Sequence, residues 1–266
     1  MSVMSDRARG IRLTDLALHL DAPKSSTQRL LEHLAQDGWV EQDEETGQYR
    51  LTMRLAMLGQ RYLQSAGIAD PAQAILERLA RQTKELARLT VVDRKQLAWI
   101  GSAQGAPPGL RYEPAMGGSI VSFATANGKA WLATFGDDEA IAIAMKDGLG
   151  KRARRVDLGP RSLKTADGLR ADLHVVRKRG YAVADQEAEA GVAAIAVAIQ
   201  KPHSHLTLGT TSVAGPVVRI TPDRHAEIVG ALRASAADFA LVWPAGRRKP
   251  AAAVERVDVG ARRERH

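Results

Sequence analysis

Lys24-Ser25-Ser26-Thr27-Gln28-Arg29 places an ammonium, three hydroxyls, an amide and a guanidinium on consecutive residues. Gln can pair bidentately with adenine and Arg with guanine across the major groove of DNA. Lys and the Ser hydroxyls suit phosphate, as do the amides at a helix start, which the helix dipole makes attractive to anions. Such a surface needs a helix to aim it. Ser25 followed three residues later by Gln28 has the form of a capping box, so a helix is expected to open here. The same residues also fit an ordinary capped helix, and Gln28 cannot fully serve a cap and a base at once. Arg29 is therefore the foremost candidate base reader and Gln28 the conditional one. Ser25, Ser26 and Lys24 position the helix.

Other clusters carry less. His203 and His205 flank one residue beside Pro202, with no Cys in the chain and no further ligand at a recognised spacing, so a surface turn is expected rather than a metal site. Glu187 and Glu189 alternate in an extended segment and point to opposite faces, which argues against a catalytic pair. Gly117-Gly118-Ser119 lacks the Lys-Ser/Thr ending of a phosphate loop. No enzyme activity, cofactor or metal is expected.

The net charge of +8 invites a nucleic-acid reading, but its location matters. Residues 1–66 hold 8 Lys/Arg against 9 Asp/Glu, while residues 150–180 hold 10 against 3 and residues 246–266 hold 7 against 3. The excess lies away from the reading surface, and Lys151, Arg152, Arg154 and Arg155 read as a solvated loop. The most apolar run, Val192 to Ile199, is far shorter than the roughly twenty residues a membrane helix needs, and no signal peptide is recognisable. A soluble, cytoplasmic protein is expected.

The elements follow from periodicity. Leu13 to Leu20 reads as a helix with Leu13, Leu16, Ala17 and Leu20 inward, and the next helix turns Thr27, Leu30, Leu31 and Leu34 inward. Trp39 to Glu41 and Tyr49 to Leu51 flank a polar turn ending at Gly47, a β-hairpin. Helix, turn, helix and hairpin make a winged helix-turn-helix over residues 1–51. Residues 52–70 form a linker helix with Leu55, Leu58, Tyr62 and Leu63 on one side, interrupted at Asp70-Pro71. From 71 to 245 helices (72–87, 119–135, 164–180, 221–242) alternate with strands (89–92, 96–101, 181–184, 192–199, 206–213), an α+β arrangement. Residues 246–266 read as a basic, disordered tail.

The stretch from Leu13 to Gly59, with its Pro-Lys-Ser, Arg-Leu-Leu, Gly-Trp-Val, Thr-Gly-x-Tyr-x-Leu and Leu-x-x-Leu-Gly in order, resembles the IclR (isocitrate lyase regulator) family of transcription factors. Ala126-Asn127-Gly128-Lys129-Ala130, Arg177 to Ala182, Gly191 and Ala214-Gly215-Pro216 extend the resemblance to about residues 10–245. It implies a winged helix that binds double-stranded operator DNA, a linker helix that pairs subunits into a dimer or tetramer, and a C-terminal GAF-like domain that holds a small effector. Lys24, Ser25, Ser26, Thr27, Gln28, Arg29 and Arg50 become the DNA-binding set, with Arg54 as a further phosphate candidate. Ala126, Asn127, Ala184, Asp185, Ala194, Ser212 and Ala214 become the effector set, with Asn127 and Asp185 foremost. Met116, Ile120 and Phe123 are read as core or as an apolar wall. Alanine at 194 and 214, where family members carry Cys and Ser, implies a larger, less polar effector, such as an aromatic acid, and a role in a catabolic operon. One departure stands out: only Met1 to Gly10 precedes the match, so the first helix is short or the start lies upstream, and the helical core is expected to be underpacked. The alternative reading is a metabolite-binding or interaction module whose DNA-binding part has degenerated.

Overall fold

The computed structural model describes residues 2–5, 7, 9–65, 69–114, 120–150 and 158–243. Met116, Gly117-Gly118-Ser119, the Lys151 to Arg155 cluster, the side chain of Leu63 and the 246–266 tail lie outside the described residues. The chain divides into two units, 1–71 and 72–266.

In the first unit, α1 (Ser2–Ser5) precedes α2 (Leu13–Leu20) and α3 (Lys24–Gln36), then β1 (Val40–Gln42), β2 (Tyr49–Leu51) and α4 (Arg54–Ser65). The tight turn between α2 and α3 is made by Asp21, whose φ of 49° is left-handed, a conformation Asp tolerates because its short polar side chain bonds locally. Leu16 of α2 and Leu31 of α3 meet Ile11, Val40 and Tyr49 in one core, which Met4 of α1 completes. Met4, 3% exposed, is part of the core that was expected to be underpacked. The inward stripe of α3 is narrower than expected: Thr27 and Leu31 are buried, whereas Leu30 is 48% exposed, as is Leu20 of α2 at 43%. β1 and β2 pair antiparallel, and Asp43 organises their turn by accepting from the Thr46 backbone N–H and hydroxyl, each at 2.8 Å. Those bonds hold its carboxyl below the usual range.

In the second unit the helices flank a five-stranded sheet. Its strands are β3 (Leu86–Asp93), β4 (Gln96–Gln104), β5 (Ala182–Asp185), β6 (Val192–Gln200) and β7 (Thr207–Pro216), ordered β4-β3-β7-β6-β5 with every neighbouring pair antiparallel. β7 is buried continuously from Gly209 to Ala214, so both faces of the sheet centre are covered. α9 (His225–Val242) packs on β6 and β7, and α6 (Ala126–Leu132) packs on β5, β6 and β7. Ala126 and Ala130 meet Ala182, Ala184 and Ala196, small residues that let helix and sheet approach closely. α7 (Asp137–Lys146) and α8 (Ala166–Arg179) bury Ile141, Ala144, Leu169 and Leu173 against Phe123, Trp131 and Leu132.

Several boundaries differ from the periodicity. α5 (Ala69–Thr83) opens where Asp70-Pro71 was expected to mark an interruption, because a Pro in the first helical turn removes no intrahelical bond. It stops at Thr83 rather than Ala87, since Lys84 has a φ of 56° and Leu86 already belongs to a strand. The helix expected from 119 to 135 is confined to α6, because Thr125 caps it by accepting from the Gly128 backbone N–H at 3.1 Å. α7 was not anticipated; half of its apolar residues are alanines, a weak periodic signal. Phe123 is core rather than a ligand wall.

Candidate functional sites

On α3 the capping box does not form. The helix starts at Lys24 with Pro23 as its cap and no side-chain cap bond, and Gln28 donates instead to Glu32 at 3.0 Å. Thr27 donates to the Pro23 carbonyl at 3.1 Å and is buried, so it supports the helix start from inside instead of facing outward with its neighbours. Lys24, Ser25, Ser26, Gln28 and Arg29 are exposed together on the first turns. The hairpin carries Arg50, whose Nε lies 2.7 Å from Glu41 Oε1 across the strand pair. Arg54 is a structural residue: it donates to the Asp37 carbonyl and lies over Trp39, 4.8 Å from the ring centroid. It ties α4 to the end of α3.

In the second unit, the sheet register brings the effector set together. Ala184, Ala194 and Ala214 are cross-strand partners in one row, and Ser212 lies next along β7 on the same face. Above them α6 supplies Ala126 and Asn127, and these six residues line a cavity of about 50 Å³. The Asn127 amide donates to Thr210 Oγ1 at 2.9 Å, and that oxygen lies 2.7 Å from Thr90 Oγ1, which fixes the Asn rotamer. Asp185 is not on the wall. Alternation along β5 turns it away from Ala184, and it pairs with Arg161.

Six lining residues escaped the sequence reading, Arg88, Trp99 and Tyr112 among them. Arg88 is only 7% exposed, and its guanidinium lies over Trp99 with 3.4 Å to the ring centroid. Burial pulls its pKa down to about 10. Tyr112 is pushed up to about 12, first by burial and then by Glu189, to which it is hydrogen bonded. Glu187 turns inward and meets Lys129 at 2.7 Å, with Asp172 on the other side of the ammonium at 3.0 Å. Burial outweighs Lys129 and raises the Glu187 carboxyl. The two glutamates thus serve opposite sides of the 186–191 segment and form no catalytic pair. His203 sits in the turn between β6 and β7, and no group of three potential metal ligands occurs among the described residues. Among the described residues, no helix is long and apolar enough to cross a membrane.

A winged helix-turn-helix followed by a sheet unit with a small cavity is the make-up of a ligand-responsive transcription regulator. Residues 60–241 match the family model for the bacterial transcriptional regulator IclR C-terminal domain, and residues 1–44 match the IclR helix-turn-helix domain. The chain belongs to the IclR family. It is similar to the transcriptional repressor IclR of Escherichia coli (strain K12), 31% identical over 88% of this chain and 83% of that protein. The regulator KdgR of the same organism is 29% identical over 86% and 84%. A solved IclR regulator from Silicibacter is 28% identical, with a TM-score of 0.75 over 88% of this chain and 90% of that one. With this family and these relatives, the protein is a DNA-binding transcriptional regulator controlled by a small-molecule effector and not an enzyme.

Proposed function

We propose that α3 reads double-stranded operator DNA and that the cavity beneath α6 takes an organic acid whose binding changes operator occupancy, in the cytoplasm, at a catabolic operon. The observation that carries this reading is the assembly of Ala126, Asn127, Ala184, Ala194, Ser212 and Ala214 around one cavity. On α3, the missing side-chain cap leaves the first-turn amides of Lys24, Ser25 and Ser26 for phosphate, and Arg29 for a guanine edge. Arg50 serves phosphate from the hairpin once Glu41 releases it. The division into a winged helix (1–51), linker helix (52–70), effector domain (71–245) and tail (246–266) belongs to the same reading. Leu55, Leu58 and Tyr62, all exposed on α4, are the face on which two copies pair into a dimer, or a dimer of dimers. The effector is aromatic or a larger organic acid, and a cavity far below the roughly 300–1,000 Å³ of drug-sized sites must widen to admit it.

Gel shifts on the protein's own upstream region and on a scrambled duplex test the DNA assignment. Arg29→Ala should lose discrimination between the two, and Lys24→Ala should weaken both about equally. Equal losses from both changes would refute the division of roles. An absence of specific binding by the unaltered protein would favour the interaction-module reading.

A further inference from the structure

Resting on the effector reading above, we propose that Arg88 is the specificity-determining residue of the cavity: its guanidinium binds the effector's carboxylate while Trp99 holds the flat apolar body beside it. Arg88 is the charged residue among those lining the cavity. Its place follows from the sheet, since Arg88 on β3 is the direct cross-strand partner of Ser212 on β7. A cation and a hydroxyl therefore stand side by side on the cavity wall, with Ala214 and Ala194, one and two strands from Arg88, leaving the remaining wall apolar.

The stacking on Trp99 decides the geometry. With the flat face of the guanidinium on the indole, its N–H donors lie in the plane, the arrangement that pairs bidentately with a carboxylate. Burial disfavours the charged guanidinium, as its lowered pKa reflects, and an anion entering beside it in the cavity favours that charge. A neutral isostere gains nothing from the cation and still displaces its solvation, so the site rejects it. The alanines at 194 and 214 thus do not make the cavity indifferent to acids, because Arg88 on β3 supplies the anchor for the anion.

The test uses the full-length protein and a panel of monocarboxylates from acetate to benzoate and phenylacetate, each with its primary amide, read by thermal shift and titration calorimetry. At least one acid should bind at least tenfold tighter than its amide. Arg88→Met, which keeps the volume, should abolish that preference, and Arg88→Lys should retain part of it. The proposal is overturned if no acid is preferred over its amide, or if Arg88→Met keeps the preference. Operator retention, measured by fluorescence anisotropy with the same compounds, separates the two levels: a neutral compound that shifts operator binding leaves the effector reading standing without Arg88. If no cavity-binding compound shifts operator binding, the effector reading itself fails.

Discussion

At the scale of single residues, two buried positions make firm demands. A Cβ at Gly128 would sit 2.2 Å from the Ser122 carbonyl oxygen, so Gly128→Ala must push α6 off the 120–125 turn. The expected cost is about 1–3 kcal/mol, seen as a lowered Tm together with lost ligand response. Glu187 makes a pH-dependent demand. Its carboxyl is raised above the ordinary 4.5, so the folded protein holds the proton more tightly than the unfolded chain does. Its contribution to stability is complete below that ordinary value and is lost as pH rises through the raised one. Because Gln mimics the protonated acid, the Tm of the natural protein should fall relative to that of Glu187→Gln as pH rises; a relative rise would mean that Lys129 outweighs burial. Arg88 shows what residue-level reading missed. Transfer by resemblance reaches only positions matching the family's pattern, yet a lone cation between Ala87 and Leu89 in a run otherwise bound for the sheet interior was a visible signal. Asp185 is the converse case, since strand alternation turns it away from the wall that Ala184 lines.

Elements were legible where a single period dominated. α2, β1, β2 and β6 lie within a residue or two of the positions their patterns dictate, the first three because each has a buried side and an exposed one, β6 because it is one continuous apolar run. α6 and α7 were not, since α6 is buried all round and half of the apolar residues of α7 are alanines, so neither shows much contrast between faces. The start of α3 was misread because Ser25 and Gln28 have the spacing of a capping box, while Pro23 supplies the preset backbone entry and Thr27 bonds back to it. The packing of α3 rests on Leu31, which is wholly buried among the core residues of the first unit. Leu31→Ala should cost about 2–5 kcal/mol in denaturant unfolding followed by far-ultraviolet circular dichroism and should abolish operator binding. An unaltered midpoint would show that the helices and the wing do not share a core.

At the scale of the whole molecule, association is the property most exposed to test. Leu55, Leu58 and Tyr62 form an unpartnered apolar face on α4, and a charge in its middle should disrupt pairing of two such faces. Leu58→Glu is expected to lower the mass measured by light scattering to that of one chain and to weaken operator binding in parallel; an unchanged mass would place the subunit interface elsewhere. Charge was a poor guide at this scale, since the net excess sits in segments remote from α3 in sequence. With few cations near the reading helix, binding to nonspecific DNA should fall only shallowly with salt. The small size of the cavity has a further consequence, for time rather than affinity. At about 50 Å³ it is smaller than an aromatic acid, so such a ligand enters or leaves only while the cavity is widened. The regulator's reaction to a sudden change in metabolite supply then runs on the protein's own opening clock: at high ligand concentration the observed rate reaches a ceiling set by that opening.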